Sequence, residues 1–298
     1  MEWRDLRLSD KATVEALYES SRCRLSDLTF TNLFMWVDSR KTQICHFEDF
    51  LFFEVLDQKY GPTLYNPLGN GKLKNAIKLL LKDAENRGHL LRFKAVSEEF
   101  VKELKSQFPN HFAITSSGRD DDYLYRYDDL VNLSGKAYQK KRNHIHHFQN
   151  EYMSKYRSIN KEDIPDLMEF VESWLAKQPK DAGGYIEDEG RAALRALEHF
   201  ESLNLRGAML FYEERIIAFT LGELVHSDTV IIHVEKADTE YLGSYQMINQ
   251  AFLEKEWKGK RVEFVNRESD LGVAGLRQAK QSYHPAEMIK KYDAVYLN

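Results

Sequence analysis

Apolar residues recur along the chain at two spacings, three-to-four and two, and the switches between them outline the elements. Residues 10–18 place Val14, Leu17 and Tyr18 on one helical face behind Ser9 as N-cap. Residues 28–37, with Phe30, Leu33, Phe34, Trp36 and Val37, read as a helix lying across a sheet. From 44 to 56 the chain is rich in Phe and Val and reads as a hairpin turning at Asp49. Gly61-Pro62 breaks that pattern, and a short extended piece follows at 64–68. Gly69-Asn70-Gly71 opens a helix through Ile77, Leu80, Leu81 and Ala84 that Gly88 closes. A strand at 90–93, a helix capped by Ser97 and a strand at 112–115 complete the first half.

The second half repeats that grammar. Helical stripes run through Ile164, Leu167, Met168, Val171 and Leu175, and again through Ala193, Leu194, Leu197 and Phe200. Residues 208–212 and 216–221 form a hairpin around Glu213-Glu214-Arg215, 230–234 is a buried strand, and 247–252 is a helix. Residues 261–296 read strand, crowded turn, helix, strand. Val262, Phe264 and Val265 lead into Asn266-Arg267-Glu268-Ser269-Asp270, and Gly272 and Gly275 flank the entry to a helix bearing Leu276, Arg277, Ala279, Lys280 and Tyr283. Pro285 stops that helix, and one closing strand takes in Met288, Ile289, Tyr292, Val295 and Tyr296. The repeated pattern predicts an α/β (α+β) protein of two similar domains, 1–130 and 154–298, joined by a basic helix at 131–153.

Asp120-Asp121-Asp122 precedes an alternating Tyr123-Leu124-Tyr125-Arg126-Tyr127, which reads as a half-exposed strand. In the helix beyond it, Tyr138, Ile145, Phe148 and Tyr152 form one stripe that includes Lys141. Lys136 and Lys140 lie one turn apart, with Arg142 and Asn143 alongside. Such a cationic face suits phosphate or another anion, and it equally suits a solvated linker. His144 and His147 have no carboxylate or cysteine partner in the pattern, so no metal site is expected.

Net charge is −5 with charges of both signs interspersed, which argues against a general nucleic-acid binder while leaving room for a local basic patch. No apolar run approaches the roughly 20 residues needed to cross a bilayer. With Cys23 and Cys45 alone there is neither a disulfide framework nor a metal motif, and a reduced, cytoplasmic setting without a transmembrane anchor is the expectation.

Several motifs follow one another in a fixed order. Tyr123-Leu124-Tyr125, Lys140-Lys141-Arg142-Asn143, the run 232–238, Gly243-Ser244-Tyr245-Gln246, the run 266–272, the run 275–283 and Lys290-Lys291-Tyr292 are its members. In this order the chain resembles bacterial proteins related to the C-terminal domain of phosphatidylglycerol lysyltransferases. The resemblance implies tandem GNAT-like folds, as in Fem-type peptidyltransferases, and transfer of an acyl or aminoacyl group onto an amine or hydroxyl. It implies an aminoacyl-tRNA donor, hence tRNA as a partner, and a small-molecule, peptide or lipid head-group acceptor. Acetyl-CoA ranks behind that donor. The matching connection, residues 236–244, has Gly243 as its only glycine and Glu240 in its middle, where a carboxylate repels pyrophosphate.

On that reading Glu268 and Asp270, with Glu235 as a third, orient or deprotonate the acceptor. Asn266 and Arg277 contact the carbonyl or a phosphate. Lys136, Lys140, Lys141, Arg142, Asn143, Gly243, Ser244 and Lys280 hold the donor, while His233, Tyr125 and Tyr283 line the substrate pocket. The alternative from another class is a non-catalytic module for RNA or an anionic metabolite.

Overall fold

The computed structural model describes residues 1–116, 118–178 and 184–297. Strands β1 (Arg4–Asp5), β2 (Gln43–Phe47), β3 (Phe50–Asp57), β4 (Gly61–Leu64), β5 (Leu68–Gly69), β6 (Arg92–Val96) and β7 (Phe112–Thr115) belong to one mixed sheet. Strands β8 (Asp122–Arg126), β9 (Lys155–Ser158), β10 (Arg206–Tyr212), β11 (Arg215–Val225), β12 (Thr229–Ala237), β13 (Phe264–Asn266) and β14 (Glu287–Ile289) form a second. The last strand, β15 (Tyr292–Tyr296), returns to the first sheet, whose order is β1-β2-β3-β4-β6-β15-β7 with β5 beside β3.

The chain divides into two compact units, Met1–Asp122 with Ser269–Gly272 and Ile289–Asn298, and Tyr123–Glu268 with Val273–Met288. This differs from the expected contiguous segments. The basic helix is part of the second unit, and the expected single closing strand is two strands in different sheets. The physical cause of that split lies at Lys291. Its ammonium is buried in the first unit against Asp27 and Asp122 (2.6 Å to the latter), and its backbone N–H donates to Asp121 Oδ1 at 2.9 Å. A charged residue anchored by three aspartates interrupts any continuous strand.

In the first unit, helices α1 (Lys11–Ser21), α2 (Phe30–Met35), α3 (Val37–Arg40), α4 (Leu73–Asn86) and α5 (Glu98–Gln107) accompany the sheet. The turn before α1 is held by Asp10, whose Oδ2 accepts from Arg7 N at 2.8 Å, in place of the expected Ser9 cap. Thr29 caps α2 by accepting from Asn32 N, and every α2 residue is buried, Thr31 and Asn32 included. Ser97 caps α5 by accepting from Phe100 N at 3.1 Å, as the sequence predicts. Phe93 packs edge-on against Phe100 at 5.2 Å, and Ile77, Leu80 and Ala84 of α4 bury their apolar face in the same core.

In the second unit, sheet order is β14-β8-β13-β12-β11-β10-β9. Helices α6 (Tyr127–Asn132), α7 (Gln139–Glu151) and α10 (Ser244–Glu256) pack together, with α10 against β10, β11 and β12. Helix α8 (Ile164–Ala176) pairs with α9 (Gly184–Glu198) and touches β11. Helix α11 (Ala274–Gln281) carries no buried residue. Tyr138, Ile145 and Phe148 of the predicted stripe are buried with Phe252 and Val265 in this unit's core. β8 departs from expectation: Tyr123, Leu124 and Tyr125 are all buried, so neither face of the strand is solvated.

Candidate active site in the second unit

The site begins where strand pairing ends. β12 and β13 run parallel only over Thr229–Phe264, Val230–Val265 and Ile231–Asn266. β12 then continues to Ala237, while the chain beyond Asn266 turns away with β8, Arg267 N donating to Tyr123 O at 3.0 Å. A register shift falls at His233, between the pairs Ile232–Gly222 and Val234–Leu221, and Glu235 lies two residues beyond it. Both are polar in a strand rich in Val and Ile, so each needs a partner.

Glu235 meets Arg267. Its Oε1 accepts from Arg267 Nη2 at 2.7 Å, and its Oε2 accepts from Asn249 Nδ2 of α10 at 2.7 Å. The guanidinium lies 4.9 Å from the Tyr283 ring centroid and 6.0 Å from that of Tyr125. Arg267 Nη1 is buried and has no hydrogen-bond partner among the described residues. An orphaned guanidinium donor in an aromatic surround is costly unless something occupies the space beside it. Lys141 reaches the same ring from α7, its Nζ 4.0 Å from the Tyr283 centroid. Burial and then the Arg267 charge lower the Lys141 pKa to about 8. Burial holds the phenols of Tyr125 and Tyr283 above the ordinary tyrosine value. Tyr125 donates to Lys280 O at 2.8 Å, so its ring is fixed.

The second polar position, His233, has a fully buried ring between two carboxylates. Nδ1 lies 2.8 Å from Glu268 Oε1 and Nε2 lies 2.8 Å from Glu223 Oε1. Ionised carboxylates only accept, so both ring nitrogens must donate and the imidazole is charged. Burial opposes that charge, but Glu223 and Glu268 outweigh it and raise the His233 pKa to about 9. Glu268 is delivered by a strained turn. Its backbone has φ +54°, in the left-handed region, and its N–H donates to Asn266 Oδ1 at 2.7 Å. Lys280 closes the turn by donating to Arg267 O at 2.6 Å and Glu268 O at 3.3 Å.

The structure thus brings together Glu235, Lys141, Tyr283, Tyr125, Lys280, His233, Glu268 and Asn266. It does not add the rest. Asp270 belongs to the first unit, buried, accepting from Gly272 N at 2.7 Å. Lys136, Lys140 and Arg277 are exposed. Arg142 folds back to donate to Leu133 O, Gly135 O and Gln139 Oε1, holding the entry to α7, and Asn143 accepts from Gln139 Nε2 at 2.8 Å.

The expected phosphate corner is already engaged. Ser244 Oγ donates to Asp238 O, and the N–H groups of Glu240, Ser244 and Met247 donate to Asp238 Oδ1, Tyr241 O and Gly243 O. Gly243, at φ +96°, is there for packing: a Cβ would collide with His144 O of α7. Arg267, Asn249 and Glu223 are members that sequence reasoning missed. The alternation of His233 and Glu235 within an apolar strand is the signal for them, since it demands buried partners from neighbouring elements.

Two mixed sheets flanked by helices, the second opening beside a parallel strand pair, define a tandem GNAT-like fold. Residues 19–295 match the family described as Phosphatidylglycerol lysyltransferase, C-terminal, and the chain belongs to that family. The chain is similar to a conserved protein of unknown function from Bacteroides thetaiotaomicron, at 34% identity and TM-score 0.92 with 100% of each chain covered. An uncharacterized protein of Mycoplasmoides gallisepticum is 27% identical over 81% of this chain and 79% of its own length. The fold is shared with L-PGS of Bacillus licheniformis, at 17% identity and TM-score 0.66, over 97% of this chain and 92% of that one. It extends to FemX (8% identity, TM-score 0.59, 98% and 97% covered) and to a tandem GNAT protein from the clavulanic acid biosynthesis pathway (11%, 0.52, 99% and 98%). Family membership supports a transferase-type function. Among the described residues no helix is long and apolar enough to cross a membrane.

Proposed function

We propose that the second unit transfers an aminoacyl group from a tRNA ester to an amine or hydroxyl acceptor. The observation that carries this reading is Arg267, buried, paired along one edge with Glu235 and left, among the described residues, with an unbonded Nη1 beside the Lys141 ammonium. Family membership supports the group transferred, since the matching description is that of a lysyltransferase domain. The engaged amides and the carboxylates of Asp238 and Glu240 at the head of α10 favour this donor over coenzyme A.

In the proposed reaction, Lys141 attracts a donor phosphate and Arg267 Nη1 donates to the ester carbonyl oxygen as negative charge develops there. The acceptor nitrogen or oxygen attacks the carbonyl carbon and yields its proton to Glu268, the more exposed carboxylate of the His233 cluster. The ester C–O bond then breaks, and the proton passes to the ribose oxygen leaving with the tRNA. His233 keeps Glu268 oriented.

The test is a transfer assay with tRNA charged by a mixture of labelled amino acids, offered with pooled amine and hydroxyl acceptors. Wild type should move label from tRNA into small product, and Glu268→Gln should slow this by about 100-fold or more with melting temperature retained. Failure of wild type to discharge any charged tRNA faster than buffer would overturn the reading.

A further inference from the structure

A second feature of the same unit is a cavity of about 870 Å³ beyond the C-terminal end of β12, walled by α8, the β10–β11 turn and the head of α10. Its volume falls within the range of small-molecule sites, roughly 300–1,000 Å³. Its lining holds five carboxylates against two cations, and one of those cations, Lys177, is occupied by Asp238 at 2.7 Å. Asp166, Glu169 and Glu240 form no ion pair among the described residues. The walls between the acids are aromatic, chiefly Trp174, Tyr241 and Tyr245. Trp174 already holds a cation: Lys236 Nζ lies 3.9 Å from its ring centroid, and that buried lysine is paired with Glu189 at 2.7 Å.

Acids alone would suit a hydrated metal ion, but among the described residues no three His, Cys, Asp or Glu side chains converge closely enough to hold one. Dispersed carboxylates separated by π-faces are the environment for an alkylammonium ion. Such an ion sheds its water more readily than a metal does and gains from both the charge and the ring faces. Strand β12 and helix α10 link this cavity to the transferase site: Ala237 and Tyr245 line the cavity, and Glu235 and Asn249 of the same two elements pair at 2.7 Å.

We infer that this cavity binds an alkylammonium group of the acceptor, so that the acceptor is a di- or polyamine held by one charged end while another nitrogen attacks. The inference rests on the transferase reading for the word acceptor and on the cavity alone for the ligand class.

Calorimetric titration of the full chain with spermidine separates the two. Spermidine should bind, the doubly substituted Glu169→Gln, Glu240→Gln chain should bind about tenfold or more weakly, and magnesium chloride at equal ionic strength should not displace it. An N-acetylated lysine tripeptide, as a second arm, should bind more weakly than spermidine; the reverse order would overturn the polyamine assignment in favour of peptide lysine. No heat with spermidine at millimolar concentration, or equal affinity in the double variant, would overturn the site. Arg267→Lys should leave spermidine affinity unchanged while lowering transfer. If spermidine binds but is not acylated in the presence of charged tRNA that wild type discharges onto another acceptor, the acceptor role is overturned and the ligand class stands.

Discussion

The charged imidazole of His233 makes the stability of the second unit depend on pH with a definite sign. In the unfolded chain its pKa is near 6.5, and in the folded unit Glu223 and Glu268 raise it to about 9 against the opposing effect of burial. A group raised on folding contributes fully below its unfolded pKa and loses that contribution as pH rises through the folded value. The second unit should therefore lose stability between about pH 6.5 and 9, and at about 1.4 kcal/mol per unit of pKa the loss is about 3 kcal/mol. Because the ring is fully buried, solvent screening takes little from that figure.

Lys141 acts in the opposite sense. Its pKa is lowered to about 8 on folding, so it adds stability as pH rises from there toward the ordinary lysine value. The comparison that isolates His233 is wild type against Glu223→Gln, which leaves Lys141 untouched and removes one of the two carboxylates. Urea unfolding followed at Trp174 and Trp257, the two tryptophans of the second unit, is the assay. The variant should be less stable than wild type by about 2 kcal/mol at about pH 6.5, since Glu268 still pairs the ring, and the gap should narrow toward pH 9. A gap that is constant across this range, or that widens, would mean the imidazole is neutral in the folded protein and the proton assignment is wrong.

Three further outcomes are expected. Sulfate, whose charge is constant near neutrality, should bind best below about pH 8 and lose affinity as pH rises through that value, because Lys141 is charged below it; Lys141→Arg should flatten the profile in the same titration. Lys291→Met, which leaves Asp27 and Asp122 buried without their cation, should destabilise the first unit by about 3–5 kcal/mol, and adding Asp27→Asn and Asp122→Asn should recover most of it, read by fluorescence of Trp3 and Trp36. Gly243→Ala should cost about 2 kcal/mol or more in the second unit, through both its left-handed backbone and the clash with His144 O, measured by denaturant midpoint.

Period and capping made much of the fold legible, and long-range pairing hid the rest. The hairpin turning at Asp49, the Ser97 cap, the strand Phe112–Thr115 and the buried stripe of α7 all follow from spacing within a few residues. The split of the last strand does not, because it depends on Asp27, Asp121 and Asp122, which lie far from Lys291 in sequence. Burial of Tyr123, Leu124 and Tyr125 likewise depends on what covers both faces of β8, which local alternation cannot report.

The site divides along the same line, and the division explains where it lies. Residue type suggested a cationic helix face, yet Lys136 and Lys140 are solvated and Arg142 holds a loop, while Lys141 alone of these faces inward because it shares the apolar stripe. A lysine on a buried stripe loses hydration that no nearby carboxylate fully restores, so its pKa falls. The inward polar residues of β12 obey the complementary rule. Wherever β12 is paired to β13 its side chains are Thr, Val and Ile, and its acid and imidazole appear only after that pairing ends. A strand edge released from its neighbour has space for ligands, but it also exposes backbone that must be shielded. Arg267 and Glu235 bridge that gap with one 2.7 Å ion pair, which leaves Nη1 as the unanswered donor. The opening in the sheet and the orphaned guanidinium are one consequence of the same short strand, β13, and lengthening its pairing with β12 would abolish both.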